Sequence, residues 1–276
     1  VLTVSFSELE AYRQCPFKWA LEYRDRWQPP TKPPALARGI RWHEIMATHY
    51  RGIQQAQNGG DVDTDQTIAG MRALLEIDDN DSELLCWMYE GYLERYGAEL
   101  DWTVLAVEHT AIVPLCDDIA LKMRVDLVVR DTFNKVWLVD HKTGKDLPNE
   151  VMLDLDPQFG LYTWGLRQLG QEVWGQVCNA VRTYRHKTPI PVAERYGRYR
   201  LYRTDLELER LARDYTETAR RLAAEIDDPP KHIQSGANSH CRYRCDYTEP
   251  CLAHSKGTDI GSYLRSAGYT QGYDER

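Results

Sequence analysis

The chain has 276 residues, of which 42% are hydrophobic and 28% charged. That composition supports a large buried core without disulfides and excludes a collagenous or disordered chain. No apolar run reaches the ~18 residues a membrane helix needs, and the net charge of 34 minus 42, or −8, does not by itself suggest a nucleic-acid binder.

VLTVSFSELEAY has neither the basic nor the apolar stretch of a signal peptide, so a cytoplasmic location is expected. Phe6, Leu9, Tyr12, Cys15, Phe17 and Leu21 recur at helical spacing. They predict a helix over 5–24 capped by Ser5 or Ser7, with Glu8 or Glu10 in its first turn. WQPPTKPP reads as a proline linker, Gly39 to Tyr50 as a second helix carrying His43, and 51–62 as a loop. Two amphipathic helices are expected near 63–76 and 81–97. After Leu100 the pattern changes: TVLAVEHTAIVPL, IALKMRVDLVVR and KVWLVD are β-branched runs separated by turn residues. Asp156-Pro157 then opens a helix, with Asp as N-cap and Pro in first position, that runs to Gly170. A strand over 173–184, a long charged helix over 205–226 and a loose tail over 257–276 complete the chain.

Cys86, Cys116 and Cys178 stand singly among apolar residues and read as core. Cys241, Cys245 and Cys251 cluster as HCRYRCDYTEPC. Three such thiols, in a chain without secretory signals, point to metal before disulfide. A tetrahedral site needs a fourth ligand, and Cys15 in RQCPF is the candidate. Zinc and an iron–sulfur cluster both accept four thiolates, and the spacing does not separate them.

Between Arg182 and Arg203 the balance is local and basic. Arg182, Arg185, Lys187, Arg195, Arg198, Arg200 and Arg203 face one acid, Glu194, giving this segment +6 and everything else −14. Tyr184, Tyr196, Tyr199 and Tyr202 are interleaved with the charges. Arginines for phosphates and rings for stacking suit single-stranded nucleic acid; a solvated basic hairpin is the other reading.

Asp126 interrupts the apolar run MRVDLVV, Asp140 ends VWLVD, and Lys142 lies two residues on, on the same strand face. A turn centred on Phe133 pairs the two acids, since 126 and 140 average 133. Opposed positions bring β-carbons to about 4.5–5.5 Å. Two carboxylates that close repel unless a proton or cation lies between them, and the fitting occupant is Mg²⁺ or Mn²⁺. A neighbouring lysine orients water or stabilises charge at phosphorus. A strand-end turn, with Asp126 holding a private hydrogen-bond partner, is the plainer alternative.

In chain order these features resemble the PD-(D/E)XK nuclease superfamily, specifically its RecB-like branch with an iron–sulfur cluster. The Cas-four exonucleases of CRISPR systems and the nuclease domains of RecB and AddB are the nearest likenesses. SFSELEAYRQCPFKWALEY looks like the opening helix with its cluster cysteine, and Gly39-x₃-His43 like the histidine motif. VDLV supplies Asp126, VDHKTGK supplies Asp140 and Lys142, and Gln158-x₃-Tyr162 matches the Q-x₃-Y helix. The late cysteines depart from the usual Cys-x₂-Cys-x₅-Cys by one residue, with His240 a lesser substitute for Cys241.

The resemblance implies an α/β restriction-endonuclease-like core, a mixed central sheet flanked by helices. It implies one nuclease domain over 1–256, with a helical insertion about 51–100 and a C-terminal region stapled by a [4Fe-4S] cluster on Cys15, Cys241, Cys245 and Cys251. His43, Asp126, Asp140 and the main-chain carbonyl of His141 would bind Mn²⁺ or Mg²⁺. Lys142, Gln158 and Tyr162 would join Asp126 and Asp140 in catalysis, and Glu108 would stand in an outer shell. DNA would lie along Arg182, Tyr184, Arg185, Lys187, Arg195, Arg198, Tyr199 and Arg200. The implied activity is a metal-dependent exonuclease acting on single-stranded DNA ends in recombination, repair or CRISPR-type processing. Helicase, recombination or CRISPR-adaptation proteins would be its partners, with no membrane. The other reading is a non-catalytic DNA-binding or assembly subunit, and a zinc-binding regulator is more distant.

Overall fold

The computed structural model describes residues 1–59, 81–97, 101–185, 189–226 and 239–272. Strand β1 (Leu2–Ser5) leads into α1 (Phe6–Gln14), and of the two candidate caps it is Ser5 whose Oγ accepts the Glu8 N–H at 3.1 Å. The helix expected over 5–24 breaks at Cys15. Pro16 has no N–H and drives the residue before it out of the helical region. Cys15 is accordingly extended, at φ −162°, and a new helix, α2 (Pro16–Trp19), starts behind it and runs into a π turn over Ala20–Arg24. After β2 (Trp27–Gln28), α3 spans Pro34–Gln57, so the loop expected from residue 51 is helical for two further turns. Its end is held by side-chain bonds to strand backbone: Gln57 donates to the Trp102 carbonyl at 2.6 Å and accepts the Val104 N–H at 2.8 Å. Helix α4 covers Ser82–Tyr96, while the helix expected over 63–76 lies outside the described residues.

Strands β3 (Trp102–Cys116), β4 (Ile119–Asp131) and β5 (Val136–Gly144) follow. Then come α5 (Glu150–Leu155), α6 (Pro157–Gln168), β6 (Val173–Arg182), a 3₁₀ turn over Val192–Glu194 and β7 (Tyr196–Leu201). Helix α7 (Asp205–Glu225) precedes α8 (Ser239–Arg244), α9 (Thr248–Ser255), α10 (Ile260–Ser266) and β8 (Thr270–Gln271). The main sheet is mixed, in the order β1-β4-β5-β6-β7, with β3 also paired to β4. β4 and β5 form an antiparallel hairpin paired Leu127↔Val139, Val128↔Leu138, Val129↔Trp137 and Arg130↔Val136, centred on Phe133 as the two aspartates require. β5 and β6 are parallel, the crossover between them carrying α5 and α6.

The single domain expected over 1–256 divides into two compact units. One comprises Pro34–Val113 and Met123–Ala212. In it Trp42, Ile45, Met46 and Tyr50 of α3 and Leu85, Met88 and Tyr92 of α4 bury against Leu127, Val129, Trp137, Val139, Val177 and Val181. The opposite sheet face carries Leu153, Phe159, Cys178, Ala180 and Leu201. The second unit comprises Val1–Pro33, Pro114–Lys122 and Arg213–Arg276, with Phe17, Leu21, Trp27, Tyr247 and Leu264 as a shared core. The tail expected from residue 257 is therefore corrected: α10 is capped by Asp259, whose carboxylate accepts the Ser262 N–H, and its Leu264 is fully buried. An apolar anchor at the right helical phase ordered what composition alone presented as a coil. Among the described residues no helix is long and apolar enough to cross a membrane.

Candidate active site

The hairpin register puts Asp126 beside the start of the Asp140-His141-Lys142 run. Asp126 Oδ2 accepts the His141 backbone N–H at 2.8 Å, which locks the two strands at the point where the acids meet. On α6, Asp156 caps the helix by accepting the Gln158 N–H at 2.9 Å. That cap fixes Gln158 in the first turn, where its amide oxygen accepts from Lys142 Nζ at 2.9 Å and its Nε2 donates to Asp140 Oδ1 at 3.3 Å. Lys142 Nζ also lies 2.8 Å from Asp140 Oδ2. This close ion pair holds Asp140 Oδ2 against the ammonium. Asp140, Lys142 and Gln158 thus form a closed polar ring.

His43 enters from α3, its Nδ1 3.2 Å from Asp126 Oδ2. A third acid completes this corner. Glu108 lies in the middle of β3, yet its φ is +53°, in the left-handed region that a glutamate seldom adopts. Its cause is visible in the pattern of the strand: Trp102 and Val104 are buried on one side of it, Ala111 and Val113 on the other, so the inward parity changes from even to odd. One extra residue in a strand does this, as a bulge, and re-aims a side chain. Glu108 consequently joins His43 and Asp126, one ligand atom from each lying within 4.8 Å of the other two. Arg124 Nε holds the other side of Glu108, 2.8 Å from Oε2. The outer-shell place expected for Glu108 is corrected to the innermost ring; alternation that fails across residues 105–109 is the sequence signal that could have found it.

The electrostatics match a cation site. Burial disfavours the Asp126 carboxylate, but the His43 hydrogen bond and charge, with the His141 N–H, hold it well below the usual range. Burial likewise works against a charged His43, and Asp126 and Asp140 outweigh it, raising the imidazole. Asp140 is pushed up by burial and by the Asp126 charge, against the pull of Lys142. Glu108 is raised by burial and by Asp126, with Arg124 opposing. Lys142 keeps its proton firmly: desolvation is overcome by Asp140, Asp156 and Asp126. The raised His43 imidazole favours a positive charge among the three acids, and a divalent ion would supply the same charge. A histidine nitrogen and two carboxylates within 4.8 Å of one another, with the Asp140 charge felt by both His43 and Asp126, form a donor set that suits Mn²⁺ or Mg²⁺.

His141 is buried, and burial drives its imidazole down to about 3, so it is neutral. It stacks on Tyr50 at 5.7 Å, and its Nδ1 meets the Asn179 amide at 3.1 Å. Asn179 also donates to Tyr92 Oη at 2.9 Å, which Tyr50 Oη approaches at 2.6 Å. Arg198 closes the network, donating to Tyr92 Oη at 2.9 Å and to Asn179 Oδ1 at 3.3 Å. Tyr162, one turn beyond Gln158, is raised by burial and by Asp140, and its hydroxyl meets the Gln158 side chain.

The basic segment is only partly available to a strand. Arg198 stacks 3.6 Å from the Tyr96 centroid and 4.2 Å from that of Trp102, and Arg195 is buried against Trp87. Arg182 pairs with Asp146 at 3.0 Å, and Tyr199 is half-buried beside Cys178. Four of the eight residues expected to face DNA, Arg182, Arg195, Arg198 and Tyr199, thus pair with or pack against neighbouring side chains. Tyr184, Arg185, Arg200 and Tyr202 are exposed, whereas Lys187 lies outside the described residues.

The cysteines meet in the other unit. Cys15, Cys245 and Cys251 pack on the core of Phe17, Leu21, Trp27 and Tyr247. Burial raises the Cys251 thiol, and Cys15, Cys245 and Cys241 all add to the rise. Cys241 lies in α8, and Cys245 directly follows its last residue, Arg244. Thr248 Oγ1 ties both ends, donating to the Cys241 carbonyl at 2.7 Å and the Cys245 carbonyl at 3.1 Å.

A model of the PD-(D/E)XK nuclease superfamily matches residues 3–252. No curated protein matches the chain. Among solved structures, a protein described as a "Putative exonuclease" from Eubacterium rectale superposes with a TM-score of 0.54 at 12% identity, covering 87% of each chain. The crystal structure of SSO0001 gives 0.43 at 13% identity over 91% of this chain and 86% of that one. With the family model spanning nearly the whole sequence and the mixed sheet bearing its acids and lysine at one corner, the chain belongs to the PD-(D/E)XK nuclease superfamily.

Proposed function

We propose that the protein is a Mn²⁺- or Mg²⁺-dependent deoxyribonuclease of the RecB-like branch, acting as an exonuclease on single-stranded DNA ends. The observation that carries this reading is the convergence of His43, Glu108 and Asp126 next to the Asp140–Lys142–Gln158 ring. His43, Glu108 and Asp126 would hold the ion, with the Asp140 carboxylate beside them. A divalent ion there supplies Lewis acidity toward the phosphate and lowers the pKa of water. Lys142, kept protonated, orients the attacking water and neutralises charge that grows on the phosphoryl oxygens. Gln158 holds the Lys142 ammonium in place through Oε1. The buried His141 network fixes the strand backbone whose N–H grips Asp126.

A [4Fe-4S] cluster on Cys15, Cys241, Cys245 and Cys251 belongs to the same proposal. The thiols influence one another, yet among the described residues no three sulfurs lie within 4.8 Å. Ligands of one tetrahedral zinc, at Zn–S of about 2.3 Å, would stand only ~3.8 Å apart. A cluster with an iron at each corner holds its thiolates farther apart. Its role is to fasten residue 15 to residues 241–251.

A scaffold subunit would have no use for an intact His43, Asp126 and Lys142 converging at one corner, which favours the enzyme. Incubation of 5′- and 3′-labelled single strands with Mn²⁺ tests the reading. Stepwise shortening by the wild type and none by Asp126→Ala is expected; equal degradation by both would assign the activity to a contaminant.

A further inference from the structure

The hydrolytic site leaves one buried charge unaccounted for. Arg195 is 7% exposed, precedes β7, and lies across Gly91 in the middle of α4, where any Cβ would strike its guanidinium and the Tyr196 hydroxyl. A mid-helix glycine is a poor helix former, and here it opens the space the guanidinium occupies. The guanidinium stands 4.4 Å from the Trp87 centroid. Among the described residues it has no carboxylate and no hydrogen-bond acceptor, and its Nε is buried with no partner. An aromatic face meets the charge of an arginine but none of its five in-plane N–H donors. A buried cation so placed calls for an incoming anion.

Beside it is a half-open cavity of about 230 Å³, lined by Trp87, Arg185, Pro189, Ile190, Val192 and Arg195. Arg185 is held at its rim by donating to the Glu83 carbonyl at 2.8 Å. The walls are flat and apolar, which an inorganic anion or a carboxylate would not use. The space is smaller than the usual pocket for a drug-sized ligand. One ring system with an attached anion matches both features.

We propose that this cavity binds a single nucleotide of a DNA strand, its base against Trp87 and its phosphate on Arg195. The proposal rests on the nuclease reading and adds a subsite to it. The Arg195 carbonyl accepts the Arg182 N–H, and Arg182 is paired with Gly144, two residues beyond Lys142. Two strand spacings and two residues of rise separate the backbones of Arg195 and Lys142 by about 12 Å. The subsite therefore contacts a nucleotide other than the one being cut.

Binding of fluorescein-labelled oligo(dT) to metal-chelated protein tests the subsite without hydrolysis. Arg195→Met is expected to weaken binding about tenfold and to reduce the log–log salt slope by about 0.7, one phosphate contact on a single strand. Arg195→Lys retains the slope, and Trp87→Leu weakens binding about tenfold with the slope unchanged. A folded Arg195→Met protein with wild-type affinity and slope would overturn the proposal. Should that variant fail to fold, competition on the wild type decides. Thymidine 5′-monophosphate should displace the oligonucleotide at concentrations at least tenfold below those needed of thymidine or inorganic phosphate. No displacement by the nucleotide, or equal displacement by an acidic peptide, would overturn it. Mn²⁺-dependent cleavage that persists alongside such a result would keep the nuclease and remove only the subsite.

Discussion

Replacing Arg198 with Met separates a structural arginine from a DNA contact. The guanidinium makes a charge-assisted hydrogen bond of 2.9 Å to Tyr92 Oη and a long one of 3.3 Å to Asn179, and it packs 3.6 Å and 4.2 Å from the centroids of Tyr96 and Trp102. The first bond contributes about 1.5–3 kcal/mol, the second about 0.5–1. Stacking between two partly desolvated rings contributes about 1–2 kcal/mol. Methionine keeps the apolar contact and relieves the desolvation of a charge, which returns part of that sum. A net loss of about 2–4 kcal/mol is expected. For a chain of this size it lowers Tm by roughly 5–10 °C. Thermal unfolding followed by circular dichroism measures it, and the same variant should lose nuclease activity at temperatures where it is still folded, through a displaced His141 strand. A variant with wild-type Tm and weakened DNA binding would refute this reasoning and return Arg198 to the DNA surface.

Lys142→Ala should lower the cleavage rate by about 10²–10³ while retaining Mn²⁺ binding, because the lysine acts on the phosphate rather than on the ion; single-turnover kinetics reads it. His141 is neutral in the fold with its pKa depressed to about 3, whereas in the unfolded chain it takes a proton near 6.5. Stability is thus fully present above that unfolded value and falls by about 1.4 kcal/mol per pH unit as pH drops from 6.5 toward 3. Urea titrations at pH 7.5 and 5.5 should show this slope in the wild type and a shallower one in His141→Leu. Cys251→Ser should reduce the iron of the purified protein from about four per chain to near zero. It should also make the segment 239–255 sensitive to protease, while a fully iron-loaded variant would contradict the ligand assignment.

Much of the nuclease corner was legible because hairpin pairing is arithmetic. Asp126 and Asp140 average to Phe133, and the turn lies there, with Asn134 in the left-handed conformation and Asp131 accepting the Phe133 and Lys135 N–H groups. The Asp156-Pro157 opening of α6 was equally plain, since a cap and a proline are local signals. Glu108 was expected in an outer shell rather than beside His43 and Asp126, because a bulge is decided by what both ends of the strand bury, and no local residue announces it. The alternating arginines and tyrosines of 182–203 fit a DNA surface and a cation–aromatic core equally well. Only the position of Tyr92, Tyr96, Trp87 and Trp102, all distant in sequence, turned Arg195 and Arg198 inward. The stretch after 257 misled for the converse reason, as one buried Leu264 outweighs a run of small and polar residues.

The account turns on one ion between α3, β3 and β4. Titration of chelator-treated protein with Mn²⁺, read by the electron paramagnetic resonance of the free ion, tests it directly. One binding site is predicted for the wild type, absent in Asp126→Asn and at least about tenfold weaker in Glu108→Gln. Equal Mn²⁺ binding by all three proteins would contradict the assignment of this centre.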